Sequence, residues 1–415
     1  MAASSPAEDS LRAQIDTLRS EHKRQRDAAK AQLADAYARI EALELENAAL
    51  RAEGPGAAPA VPPPVRKEAE DGPDDGMVFL DSRAVACTWV EPPAGAPRVT
   101  FATGGPAGAE LVGCLTGEVF ARGGAAAGWT RLARPASGAL RAPVAAASVV
   151  GGDGGAGLAV VAADVAGGVC VWAADGSGCW GAEEGSLTLP RCAALPWGAC
   201  GPAVVVGDAG ELGVFDPASG AWSWARMCLP GGRGIEEVSA ALVLGPDGAA
   251  GRADALLAVA GRGVDGIAYA PLPAGPCAGG CLEVTPRALS GCSAPVLDMA
   301  VCAGGALAVS FAGDVVEAVA LTDHSVVWHA TGHQTLETTK TLPRVVGTPD
   351  GGAMVTSSFP GEPLRGVMVL GREEGAERVE GTGSGRGVLS LGPRDFPGRV
   401  VLGAAVDGGV CRLVA

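Results

Sequence analysis

Few residues in this chain have side chains and spacings suited to chemistry. It holds four histidines, and three of them, His324, His329 and His333, lie close together beside Asp323. Imidazoles and a carboxylate at such spacing suit a metal ion or a proton relay. On an extended strand, however, the odd step from His324 to His329 sends them to opposite faces, and only His329 and His333 share one. Turn-capping and loop roles account for the same residues. A second candidate is Cys277-Ala-Gly-Gly-Cys281 with Cys292 nearby. It offers thiolates but lacks the paired knuckles of a structural zinc site. Ser82, Ser148 and Ser310 have no histidine that the sequence assigns to them, and no Gly-x-Ser-x-Gly elbow is present. No Gly-rich phosphate loop sits between a strand and a helix. The sequence therefore yields no catalytic residue, cofactor or metal site, and the chain reads as a non-enzyme.

The elements that would carry these residues are short strands. Residues 296–301 alternate, Gly304-Gly305 turns the chain, and 306–311 (ALAVSF) form a second apolar run. Gly313-Asp314 turns it again into 315–321, and Thr322-Asp323 leads into 325–328. Four strands joined by small turns make an antiparallel meander, which needs neighbours of the same kind to cover its faces. The turn-plus-strand signature recurs at Gly117-Glu118-Val119-Phe120, Gly168-Val169-Cys170-Val171-Trp172, Gly210-Glu211-Leu212 and Gly266-Ile267-Ala268-Tyr269. It returns at Asp314-Val315-Val316, Gly366-Val367-Met368-Val369 and Gly409-Val410-Cys411. These intervals, 42 to 56 residues, lie close to the ~40–50-residue period of propeller blades and favour seven blades over six or eight. The predicted fold is all-β, a seven-bladed WD40-like β-propeller over 77–415. The last repeat ends on a third strand, so Met77-Val78-Phe79-Leu80 is expected to supply the fourth and close the ring. The eight tryptophans read mostly as packing between blades, and Trp222-Ser-Trp224 places two indoles on one strand face, an alternative contact patch.

A long coiled-coil helix, 8–53, precedes the ring. It has no Gly or Pro from Leu11 to Glu53, and Asp9 or Ser10 caps its start. At ~1.5 Å per residue it is roughly 65 Å long. Leu11, Ile15 and Leu18 open an apolar seam, with Glu21 and His22 beside it. Leu33, Ala36, Ile40, Leu43, Asn47 and Leu50 continue it in three-four alternation after a polar interruption around Arg24. An Asn at a core position fixes register, and a narrow stripe on a lone helix calls for a partner helix, its own copy or another chain's. Residues 54–76, Pro/Gly-rich and then acidic, form a linker that cannot bury a core.

Composition narrows the function classes. Of 415 residues 64 are Gly and 30 are Pro, and the net charge is −15. Residues 1–76 hold 15 acids and 10 bases, leaving −5 there and −10 in the ring, so no basic face for direct nucleic-acid binding is expected. No run of eighteen apolar residues occurs, and Ala-Ala-Ser-Ser follows Met1. A soluble intracellular protein without a membrane segment is expected. Twelve cysteines are present, many in predicted strands such as Cys87, Cys114, Cys170, Cys302 and Cys411, where they read as reduced small hydrophobes.

The coil motif Leu11-x3-Ile15-x2-Leu18-Arg19-x-Glu21-His22 resembles the family pattern Leu-x3-Leu-x2-Leu-Lys-x-Glu-Tyr of the partner-and-localizer of the breast-cancer type-two susceptibility protein, with His22 in place of the aromatic. Residues 295–321, 353–375 and 158–172 are similar to blades of that family. The resemblance implies a nuclear, non-enzymatic scaffold in homologous-recombination DNA repair. Its implied partners are the breast-cancer susceptibility proteins and the strand-exchange recombinase, one on the coil and a peptide of a second on the propeller. Family members with a long disordered middle hold chromatin- and recombinase-binding segments there, whereas this chain has only 54–76. Two other readings fit a coil joined to a ring: an autophagy adaptor, and a propeller enzyme working in the central channel. Converging charges and histidines at the channel would mark the enzyme, and a groove on the rim would mark the adaptor.

Overall fold

Each of the seven turn-plus-strand repeats opens the third strand of a four-stranded antiparallel arrangement. The structure is a computed structural model that describes residues 85–414, less a set of inter-strand segments of which 332–344, 246–254 and 380–387 are the longest. Among the described residues the strands form seven sheets. Third strands begin at Val119, Val169, Glu211, Ile267, Val315, Arg365 and Val410. The reason is local. At Gly167 and Gly266 the backbone lies at φ 87° and 76°, and a Cβ would overlap the carbonyl oxygens of Leu187 and Arg287. At these two turns glycine therefore sets where the third strand starts.

Blade 5 follows the sequence reading closely, with strands Val296–Cys302, Ala306–Phe311, Val315–Ala320 and Val326–Thr331 paired in that order. Blade 3 departs from the simple meander. Its outer strand Ala221–Leu229 also pairs in parallel with Cys281–Glu283, which lies between the third and fourth strands of blade 4. A disulfide joins Cys228 to Cys281, Cα atoms 6.0 Å apart, so Cys281 belongs to a cross-blade link and not to a metal site. Cys277 and Cys292 lie outside the described residues. Cys114, Cys170, Cys302 and Cys411 are buried and outside any disulfide, as their strand positions predict, and Cys87 is half-buried.

The core consists of seven apolar clusters, one between each pair of successive blades. The cluster that joins blade 1 to blade 7 brings Val99, Ala102 and Val112 against Leu402, Ala404 and Val410. A closed ring removes open sheet edges between neighbours.

Closure uses an N-terminal strand, but a different one from that expected. Ala86–Val90 pairs antiparallel with Val410–Val414, Ala86 opposite Val414 and Val90 opposite Val410. Met77–Leu80 lies outside the described residues. Alternation explains the choice: Cys87 and Trp89 both turn toward the cluster between blades 6 and 7. A buried ion cluster reinforces the seam. Glu110 of blade 1, 1% exposed, accepts from Arg122 Nε at 2.6 Å and pairs with Arg412 of the closing blade. The coil 8–53, its residues Leu11, Ile15, Leu18, Glu21, His22, Leu33, Ile40, Leu43, Asn47 and Leu50, and the linker 54–76 all lie outside the described residues. Among the described residues no helix is long and apolar enough to cross a membrane.

Candidate functional site

The innermost strands of the blades line a central channel, and a loop from blade 7 fills it. This loop follows the strand Val388–Gly392. Arg394 directs Nη1 to Asp298 Oδ1 of blade 5 and Nη2 to the Arg191 carbonyl oxygen of blade 3, the latter at 2.6 Å. Its own carbonyl accepts from the Val301 N–H at 2.8 Å. Asp395 accepts from Ser148 Oγ of blade 2 at 3.2 Å, and Asp298 Oδ2 accepts from the Val345 N–H of blade 6 at 3.1 Å. Two consecutive loop residues thus engage three other blades, and Asp298 extends the network to a fourth. The cavity that remains, lined in part by Cys192, Leu242 and Gly392, measures about 30 Å³. That is room for about one water molecule.

The charges in the channel serve each other. Burial opposes the charge on Arg394, but Asp298, with Cys192 and Asp395, outweighs it and the pKa is held above the usual arginine value. Burial pushes the Asp395 carboxyl up, against hydrogen bonds from its own backbone and from Ser148. Ser148, one of the candidate nucleophiles, therefore has a carboxylate partner and not an imidazole. Ser310 is fully buried without a hydrogen-bond partner on Oγ, and Ser82 lies outside the described residues.

A second opening, among the described residues, lies off the channel axis, between blades 4 and 5. It is a groove of about 560 Å³. One wall is the turn Gly263-Val264-Asp265-Gly266, which joins the second and third strands of blade 4. The other comes from the connection into blade 5, with Leu289, Ala294, Pro295 and Leu297. Ser239 Oγ at its base is spent on the Val296 carbonyl at 2.6 Å. At the outer lip Arg262 and Glu236 form an exposed pair at 3.2 Å. Arg191 and Glu237 stand at the inner end, toward the channel.

Arg191 is unusual among these residues. Its side chain is 4% exposed, and its nearest ion partner is Asp208 Oδ2, 3.9 Å from Nη2. Nε and Nη1 have no acceptor at all. Burial lowers its pKa, and Asp208, Glu237 and Asp298 work against that effect. A groove with one apolar wall and a buried guanidinium has the make-up of a ligand site, where a few polar groups fix orientation.

The two described histidines of the cluster stand in different surroundings. His324 lies in the turn between the third and fourth strands of blade 5, at φ 62°, buried against the Tyr269 ring with centroids 5.1 Å apart. Burial and then Arg287 lower its pKa. Asp323 caps the turn by accepting from the Ser325 N–H at 3.0 Å. His329 is exposed, 3.9 Å from Glu317, and His333 lies outside the described residues. Among the described residues no group of three or more His, Cys, Asp or Glu is placed to hold a metal ion.

The described tryptophans pack between blades, and Trp197 lies outside the described residues. Trp172 and Trp328 donate to the carbonyls of Ala133 and Gly351, at 2.6 and 2.8 Å, on neighbouring blades. Trp222 and Trp224 stack with centroids 5.6 Å apart, and Trp180 and Phe215 extend the group over the cluster between blades 2 and 3. Arg191 and Arg394 gave no sequence signal, since 203 positions separate them and each is ordinary in its own segment.

Ring, filled channel and lateral groove together define a closed seven-bladed β-propeller. No family model matches the chain, and no curated protein does. Among solved structures it is similar in fold to a chain described as YCF48 bound to D1 peptide, with a TM-score of 0.51 and 10% sequence identity. The match covers 82% of this chain and 97% of that one.

Proposed function

We propose that the propeller is a peptide-binding module and the protein a non-enzymatic scaffold, with the groove between blades 4 and 5 holding a short peptide of a partner. The observation that carries this reading is the groove itself, about 560 Å³, with one apolar wall and a buried arginine at its inner end. Pockets of this size and lining suit a few side chains of an extended segment. The fold relative bound to a peptide is consistent with such use of a propeller. Selection of short random peptides on the full-length protein tests the site, with Leu289→Trp as the filled groove. Enriched peptides should bind the unaltered protein and lose binding to Leu289→Trp. Peptides indifferent to that change would put the site elsewhere.

The finer part of the proposal rests on the coil motif. The N-terminal seam at Leu11, Ile15 and Leu18 pairs with its own copy or recruits one partner while the ring holds another. The cellular role is then an adaptor in homologous recombination, in the nucleus, with the breast-cancer susceptibility proteins and the recombinase as partners. A knockout should be sensitive to DNA crosslinks and fail to form recombinase foci. Normal crosslink resistance would remove the repair role and leave the scaffold.

A further inference from the structure

The inner end of the groove holds a positive group that the fold leaves incompletely matched. Arg191 is 96% enclosed by the figure of 4% side-chain exposure, yet Nε and Nη1 meet no acceptor. Buried donors are nearly always satisfied, and those on a charged group carry the largest penalty when they are not. The acids that act on Arg191, Asp208, Glu237 and Asp298, accept no hydrogen bond from these two donors. Asp298 gives one oxygen to Arg394 and the other to the Val345 N–H. Asp395 accepts from Ser148, and Asp208 stays 3.9 Å from Nη2, beyond hydrogen-bond reach. Arg394 also draws on the Arg191 carbonyl, which anchors this backbone and leaves the side chain as the part that can adjust. The open volume beside Arg191 is the groove.

We propose that the groove takes a peptide carboxylate, from a free C-terminus or from an Asp or Glu side chain, which docks on the guanidinium of Arg191. This rests on the groove being a peptide site. A carboxylate matches the planar donor fork of arginine, and a charge-assisted pair in a sheltered site is stronger than an exposed one. The wall formed by Leu289, Pro295 and Leu297 then takes the apolar residues next to the acid.

Three pools of short random peptides offered to the full-length protein test this. The first has free C-termini and no Asp or Glu, the second is amidated and contains Asp and Glu, and the third is amidated without either. Groove binding is defined as binding lost in Leu289→Trp. It should come from the first or second pool, which identifies the source of the carboxylate, and should weaken about tenfold or more in Arg191→Gln. Arg191→Lys should retain part of it. Groove binders of equal strength from the third pool, or binders unaffected by Arg191→Gln, would overturn the carboxylate assignment and leave the groove standing. Absence of groove binders from every pool would overturn both. The comparison among pools uses the unaltered protein, so it decides the matter even where Arg191→Gln unfolds.

Discussion

Arg394 Nη2 donates to the Arg191 carbonyl at 2.6 Å across 203 positions of chain, and this contact joins the filled channel to the groove. One guanidinium neutralises Asp298 and also braces the strand that presents Arg191. The channel's charges are therefore structural, and the proposed ligand site is the groove beside them.

Removing Arg394 should show this in stability. Arg394→Met leaves the Asp298 carboxylate, 5% exposed, without its ion partner. A broken buried pair costs about 3–5 kcal/mol, so denaturant melts should shift strongly. The double variant Arg394→Met with Asp298→Leu removes both charges and should recover part of that loss. Additive effects in the double-mutant cycle would contradict the pairing.

Ring closure predicts a sharp boundary in truncations. A chain starting at residue 85 keeps Ala86–Val90 against Val410–Val414, whereas one starting at residue 92 loses it. The second should aggregate through the exposed edge and melt lower, and the first should stay monodisperse in sedimentation. Equal melts for the two would mean that the pairing contributes nothing to closure.

The strand pattern was legible because it is local. Alternation and a turn glycine located all seven third strands, and blade 5 nearly residue for residue. The closing strand was misplaced because both 77–80 and 86–90 are short apolar runs. Only the position of the cluster receiving Cys87 and Trp89 distinguishes them. The Cys228–Cys281 link, the channel loop and Arg191 were not legible, since each depends on which blades the ring brings together. His324 and His329 are close in sequence, but the turn at His324 buries one against Tyr269 while the other stays exposed, in keeping with the opposite faces their odd spacing predicts.

That turn gives a pH dependence. The pKa of His324 is depressed by burial and by Arg287, so the unfolded chain takes up its proton at a higher pH than the folded one. By linkage, stability falls as pH drops from about 7 through the unfolded histidine value near 6.5, and levels off below the folded value. His324→Asn tolerates the positive φ and should flatten this part of the curve. Asp395, with its pKa raised, acts in the opposite direction, losing stability as pH rises from its unfolded value through its folded one. Thermal melts of His324→Asn against the parent between pH 5 and 7 check the histidine share. Parallel curves would show that His324 does not contribute.

The two recognition elements should separate genetically. Leu11, Ile15 and Leu18 changed together to Ala should abolish capture of the coil partner while peptide binding by the ring stays unchanged. Simultaneous loss of both, with the ring still folded by circular dichroism, would contradict independent modules.

The claim that the groove between blades 4 and 5 is the peptide site has a direct measurement. Amide hydrogen exchange of the full-length protein, with and without a peptide from the selection, reports which backbone segments the ligand covers. The account predicts slowed exchange at 263–266 and 289–297 and no change at 221–229 around the stacked tryptophans. Protection at 221–229 with none at 263–266 and 289–297 would contradict it.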